Sequence, residues 1–195
     1  MSSRYIKLIL ILLASIAAVS YLFLSGNFVE EQLRICIAWS AKIAAFLFSV
    51  AFGASSFQYL FKDAFSRKLV SVRAEIGLSF ASFHTAHLIF LVMLQMFFHP
   101  VFDLAKNSSL LGGGMAYVFM YAMVVTTFPN VKKSISSKSW KLLHLMGAYW
   151  IWLIFFRSYF KNAFNKGEEY FMFAFLSAAI LLRIIRSIGT ILRKA

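Results

Sequence analysis

The sequence predicts an all-α membrane protein, a six-transmembrane-helix bundle with both termini in the cytoplasm (N-in/C-in). Three observations predict this fold. First, 61% of the 195 residues are hydrophobic and 14% are charged, whereas about a quarter of the residues of an average soluble domain are charged. Second, the apolar residues form runs long enough to cross a bilayer as helices. Third, the basic residues gather between these runs. We expect one transmembrane domain over residues 1–195.

Six apolar runs approach the roughly 20 helical residues that a hydrocarbon core of about 30 Å requires. They are Ile6–Leu24, Ile35–Leu60, Ala74–Phe98, Leu110–Phe128, Trp140–Phe156 and Tyr170–Ile188. Pro100 and Pro129 follow the third and fourth runs, as is typical where helices end. The single cysteine, Cys36, excludes an intrachain disulfide and a cysteine-ligated iron–sulfur cluster.

The basic residues mark one side of the membrane as cytoplasmic by the positive-inside rule. Most of them lie at the termini, between the second and third runs, and between the fourth and fifth: Arg4, Lys7, Lys62, Arg67, Lys68, Arg73, Lys132, Lys133, Lys138, Lys141, Arg183, Arg186, Arg193 and Lys194. The net charge of +13 therefore indicates topology. Because the sequence contains no soluble basic domain, we expect a lipid bilayer and no nucleic acid as partner.

Five ionisable residues fall within or at the ends of the spans: His84, His87, His144, Lys42 and Arg157. Such a residue costs about 2.5–3.5 kcal/mol at the centre of a bilayer on insertion scales, so it needs a partner. Neutral imidazole is the commonest metal ligand, and His84 and His87, three residues apart, share one helical face. The three histidines are therefore candidate metal ligands. The structural alternatives are a histidine bonded to a backbone carbonyl, a snorkelling Lys42 and a helix-end anchor at Arg157.

Three segments in this region share a pattern with a known family. They are the run from Arg73 through Gly77 and Leu78 to His87, the run from Trp140 through His144 to Tyr149, and Trp39-Ser-Ala-Lys42. Over roughly residues 35–165 they resemble the ferric-reductase-like transmembrane domain. The resemblance is greatest to the haem-binding membrane subunit of the bacterial periplasmic methionine sulfoxide reductase system.

The resemblance implies a b-type haem held by His87 and His144 in a bacterial inner membrane. It implies that electrons pass from a cytoplasmic flavin reductase or quinol to an acceptor outside, and it allows FMN or a quinone as cofactor. Lys42, Arg73 and Arg157 are the residues expected near the cofactor. At Arg157 the family has a second histidine; arginine cannot ligate iron. We expect no nucleotide-binding domain in the chain, so a soluble reductase or quinol would be the electron donor.

The depths of the histidines leave the ligand pair open. At about 1.5 Å per residue, His87 lies ~20 Å from the cytoplasmic end of its span, His84 ~15 Å and His144 ~6 Å. Either His144 pairs with His84 or His87 around one haem, or the chain has lost haem and acts as a membrane assembly or scaffold protein. A third alternative is a small proton-coupled transporter with His84, His87 and Lys42 as its relay.

Overall fold

The computed structural model describes residues 30–100, 104–167 and 169–193, together with single positions between 10 and 25. Most of the first predicted run, Ile6–Leu24, and the N-terminal cations Arg4 and Lys7 lie outside the described residues. The described part forms seven helices: α1 (Glu30–Phe61), α2 (Ala64–Ser71), α3 (Arg73–Phe98), α4 (Leu104–Val125), α5 (Pro129–Lys133), α6 (Ser137–Lys166) and α7 (Tyr170–Leu192).

The predicted all-α membrane architecture is confirmed at this level: the described residues contain no strand, and α1, α3 and α7 are long and apolar enough to cross a membrane. The apolar part of α4, Leu111–Val125, is shorter. The helix α6 covers the fifth predicted run, but Arg157, a histidine and several Trp and Tyr residues lower its mean hydropathy. The long helices coincide with the second to sixth runs, and α2 and α5 lie in the basic connections between them.

Local sequence signals fix the helix ends. The Asp63 carboxylate accepts a hydrogen bond from the Ser66 backbone N–H at 2.7 Å, which caps α2 and lowers the pKa of Asp63. The Ser136 hydroxyl caps α6 in the same way, accepting from the Ser139 N–H at 3.0 Å. His99, at φ 44°, ends α3 immediately before Pro100. Gly167, at φ 70°, ends α6.

The bundle core joins all five long helices. Its buried residues are Ala44, Ala45, Phe48, Phe52, Phe80, Ala81, Ala116, Met120, Ile151, Phe155, Tyr159, Met172, Leu176 and Ala179. Within the bundle, α1 packs against α3 and α7, while α6 packs against α4 and α7. A second, smaller cluster between α1 and α3 contains Leu33, Cys36 and Phe90. Alanines at the centre let the backbones approach closely, as is usual between membrane helices.

The outer surface of the bundle is apolar. Large hydrophobic side chains are exposed on every long helix, for example Phe46, Met96, Val118, Leu153 and Ile184. A soluble monomer rarely exposes contiguous apolar surface on this scale. The bundle therefore suits a lipid environment.

Candidate functional site

A cavity of about 450 Å³ lies at one end of the bundle, next to α5. We call it the His144 cavity. Its apolar wall includes Phe48, Phe52, Phe80, Met120 and Ile151. Its polar lining consists of Arg73, Thr127, Lys132, Trp140, Lys141, His144 and Arg183. The volume and the mostly apolar wall with a few polar groups are typical of a small-molecule site.

Two of the sequence motifs meet at this cavity. Arg73, Gly77 and Leu78 line it from the first turns of α3, and Trp140 and His144 line it from the first turns of α6. Gly77 lies on the open side, since a Cβ atom added there would meet no atom within 4 Å. Residues that are distant in sequence therefore share one site.

The His144 ring is held on two sides. It stacks on the Trp140 indole, with ring centroids 4.1 Å apart. Its Nε2 atom lies 3.2 Å from the Thr126 hydroxyl oxygen, and the Trp140 N–H donates to the Thr126 carbonyl at 3.1 Å. The Lys132 ammonium lies 4.7 Å from the Trp140 ring centroid. These contacts fix the orientation of the imidazole beside the cavity.

Two aromatic rings and two hydrogen-bond acceptors hold Arg183 in place at the cavity. Its guanidinium lies 4.2 Å from the centroid of the Phe52 ring and 4.8 Å from that of Tyr149. It donates to the Phe52 carbonyl at 3.2 Å and to the Tyr149 hydroxyl at 3.3 Å. Cation–π contacts and neutral acceptors orient the guanidinium while leaving its charge uncompensated.

The cavity as a whole carries uncompensated positive charge. The ion pairs among the described residues are Arg34 with Glu30 and Lys42 with Glu169. Neither involves one of the four cavity cations, Arg73, Lys132, Lys141 and Arg183. Cations clustered in a low-dielectric recess raise the local concentration of anions. The cavity is therefore suited to an anionic ligand with an apolar body.

His84 and His87 lie in a different part of the bundle, packed among aromatic rings. The two imidazoles stack at 5.5 Å, and His84 also packs against Tyr117 at 4.5 Å and Phe155 at 5.2 Å. His87 Nδ1 lies 3.0 Å from the Ile37 carbonyl oxygen. This is the backbone contact expected of a histidine with a purely structural role. His84 Nδ1 is buried without a hydrogen-bond partner among the described residues.

The structure does not bring His144 together with His84 or His87. On α6, the residue that contacts His84 is Phe155, eleven residues after His144 in the sequence. Eleven helical residues correspond to about 16 Å along the axis. Neither histidine of α3 lines the His144 cavity, and no metal-binding group of three or more His, Cys, Asp or Glu occurs in the part of the chain that is described.

The other two predicted cofactor residues lie away from the cavity. Lys42 pairs with Glu169 at 3.1 Å, linking α1 to the start of α7, and Asn162 donates to the same carboxylate at 2.9 Å. Lys42 also lies 5.6 Å from the centroid of the Trp39 ring. Arg157 is exposed on α6, thirteen residues beyond His144. Of the three predicted basic cofactor residues, the structure therefore places only Arg73 at the cavity.

Three cavity cations were not singled out from the sequence: Lys132, Lys141 and Arg183. All three belong to basic segments that already mark the cytoplasmic side. The positive-inside rule accounts for a basic residue in such a segment whether its side chain faces water or a cavity. The sequence therefore does not show which of these residues line a site. Only the packing of α7 against α1 and α6 distinguishes Arg183 from Arg186, one turn further on.

The cavity residues fit three features of a b-type haem and fail to fit a fourth, the predicted pair of histidine ligands. Such a haem is a flat, largely apolar ring with two carboxylates and an iron that accepts imidazole. His144, the apolar wall and the unpaired cations match these three features. The predicted ligation of one iron by histidines from both α3 and α6 does not fit, because the α3 histidines lie outside the cavity.

No protein-family model, curated protein or solved structure matches this chain. The resemblance to the ferric-reductase-like domain therefore rests on the quoted motifs. Two of these motifs meet at one cavity, and the third, Trp39 to Lys42, lies with Glu169 at the start of α7.

Proposed function

We propose that this protein is a membrane electron-transfer subunit that binds a b-type haem in the His144 cavity. One observation carries the proposal: Arg73, Gly77, Leu78, Trp140 and His144, selected from the sequence as family motifs, line a single cavity rich in unpaired cations. When bound, the haem would supply one-electron redox chemistry. His144 is the proposed imidazole ligand.

The remaining cavity residues have distinct roles in this proposal. Arg73 and Arg183 would hold the haem carboxylates, because guanidinium groups bind carboxylates through charge-assisted hydrogen bonds. Trp140 and Thr126 hold the imidazole in position, and a partner fixing ring orientation is usual for a metal-ligating histidine. The apolar wall excludes water and keeps the local dielectric low.

The proposed membrane arrangement follows the loop charges. Six spans with both termini inside would place the His144 cavity at the cytoplasmic face of a bacterial inner membrane. There the basic segments around Arg67 and Lys132 would attract an acidic flavoprotein, or quinol would reach the cavity from the bilayer. Electrons would leave towards an acceptor on the outer side.

Haem content of the purified full-length protein tests the proposal. We expect a single haem per chain and a Soret band in protein extracted with mild detergent. His144→Ala should remove that band, while the control His99→Asn, at the opposite end of α3, should retain it. Wild-type protein that folds as a monodisperse helical bundle without haem, from cells supplied with haem, would overturn the proposal.

A haem-free assembly or scaffold protein is the second candidate. One observation favours it: neither His84 nor His87 lines the His144 cavity, so the second histidine ligand that the family resemblance implies is not there. The same preparation separates the candidates: flavin or quinone recovered without haem would indicate another redox ligand of the cavity. Recovery of none of the three would favour the scaffold.

A further inference from the structure

A second recess, of about 370 Å³, opens where α1, α2 and α7 meet. We call it the basic cleft. Its lining residues are Ser55, Gln58, Tyr59, Lys62, Arg67 and Arg186. Three of them are cations, which come from the turn between α1 and α2, from α2 and from α7. The other three are uncharged hydrogen-bonding side chains, and none of the six is a carboxylate. This donor-rich composition is complementary to a phosphate group.

The backbone positions two of these cations. Lys62 adopts φ 51°, in the left-handed region that non-glycine residues rarely occupy. Its carbonyl accepts a hydrogen bond from Arg67 Nη1 at 2.8 Å, which holds the guanidinium beside the turn. Arg193 lies 5.1 Å from the centroid of the Tyr59 ring and adds a fourth cation near the recess. In the described part of the chain, no carboxylate forms an ion pair with Lys62, Arg67 or Arg186. The Asp63 carboxylate, which caps α2, interacts with Arg67 only at longer range.

Exposed phenyl rings indicate how deep in the membrane the turn between α1 and α2 lies. Phe61 and Phe65, on either side of the turn from α1 to α2, are 57% and 65% exposed. Phe57 contacts both rings, with centroid distances of 4.4 and 6.1 Å. Phenyl rings with no polar atom favour hydrocarbon, so the turn lies at the edge of the bilayer. The basic cleft is then level with the lipid headgroups.

We infer that the basic cleft binds the phosphate of an anionic phospholipid headgroup. Basic pockets between membrane helices on the cytoplasmic side recognise such headgroups. The neighbouring phenyl rings favour a lipid over a free phosphate ion, because they place the recess where headgroups are concentrated. The basic cleft adjoins the His144 cavity, since Arg73 Nη1 donates a hydrogen bond to the Ser55 hydroxyl at 2.6 Å. The inference nevertheless does not depend on haem.

Lipid retention by charge-matched variants tests this inference. The full-length protein is purified in detergent, incubated with phosphatidylglycerol, and examined for bound lipid by native mass spectrometry. We expect wild-type protein to retain phosphatidylglycerol in preference to phosphatidylcholine. The double variant R67Q/R186Q should bind it about tenfold more weakly, because two charge-assisted contacts are lost. The control K68Q/K138Q removes the same charge outside the cleft and should leave retention unchanged.

Two results would overturn the inference. Equal losses in both double variants would show that only general surface charge attracts the lipid. Displacement of phosphatidylglycerol by inorganic phosphate that binds the cleft with the same affinity as the lipid would show a site for soluble anions. Far-UV circular dichroism and gel filtration establish that both variants remain folded. Lipid retention and phosphate displacement do not involve haem, so a failure of this inference is distinguishable from a failure of the proposed function.

Discussion

The two histidine regions of this bundle differ in what surrounds the imidazole. His84 and His87 lie in a closed aromatic cluster with Phe80, Tyr117 and Phe155. His144 instead borders a cavity of about 450 Å³ together with unpaired cations. The His144 region is also closer to water, because Arg73, Lys132 and Lys141 are exposed at that end of the bundle. An adjacent cavity and an unbalanced positive charge distinguish it from the packed region around His84.

The difference shows which features indicate ligand binding in an apolar bundle. A packed cluster with stacked rings leaves no room for a cofactor, and its histidines serve as flat packing elements or bond the backbone. A recess lined by cations without carboxylates is electrostatically costly unless an anion enters it. The comparison can be tested by changing each region separately.

Removing a ring from the closed cluster should have the largest effect. Phe155→Ala should lower the free energy of unfolding by about 3 kcal/mol, because it leaves a void between α1, α3 and α6. Phe171→Ala, which removes a 71% exposed ring from α7, is the matched control. Unfolding in mixed detergent micelles measures both. Equal and small losses would contradict a tightly packed region around His84.

Neutralising an ordered cavity cation should weaken ligand binding. Arg183→Gln should raise the haem dissociation constant roughly 10- to 100-fold, since a hydrogen bond to a charged group is worth about 1.5–3 kcal/mol. Arg186→Gln, one turn further along α7 and outside the His144 cavity, should change it little. Haem titration of the apoprotein supplies the measurement. Identical constants for the two variants would place the anionic group elsewhere.

Much of this architecture could be predicted from the sequence. The apolar runs located the five long helices within a few residues at most ends, because hydrophobic length is the main determinant of a membrane helix. The Arg73 and His144 motifs identified residues that meet at one cavity. The depth estimate also placed His144 nearer the cytoplasmic end of its span than His87. In the structure the two histidines likewise lie at different levels of the bundle.

The rest depended on packing between distant segments. The sequence does not determine helix rotation and axial offset to within a turn, and an offset of one turn decides which residue of α6 opposes His84. Lys42 illustrates the same limit: its partner Glu169 is far along the chain. Spacing within α1 cannot reveal that contact.

Two glycines differ in the space around them: Gly77 borders the His144 cavity, whereas Gly147 packs against α4. A Cβ atom at Gly147 would lie 2.7 Å from the Met123 sulfur and 3.3 Å from Phe119 Cβ, whereas one at Gly77 meets nothing within 4 Å. Gly147→Ala should therefore destabilise the bundle by about 1–2 kcal/mol. Gly77→Ala should be neutral or stabilising by up to about 1 kcal/mol, because alanine favours helix. The reverse order in thermal unfolding would contradict both the close packing of α6 against α4 at Gly147 and the open space beside Gly77.

The ion pair between Lys42 and Glu169 should have the smallest effect. Glu169→Gln should lower the free energy of unfolding by about 1 kcal/mol or less. The Lys42 side chain is 37% exposed, which screens the pair although the Glu169 side chain is only 17% exposed, and glutamine can still accept the hydrogen bond from Asn162. The haem band should not change. A loss of haem in this variant would mean that Lys42 serves the cofactor after all. Unfolding at low and high salt provides the measurement.

Optical spectra of three single-histidine variants test the central claim most directly. Full-length protein carrying His144→Ala, His84→Phe or His87→Phe is purified in parallel, and the Soret band is compared at equal protein concentration. We predict that His144→Ala alone abolishes the band, while the two α3 variants keep it with unchanged position. Loss of the band in His84→Phe or His87→Phe, with His144→Ala unaffected, would contradict the account.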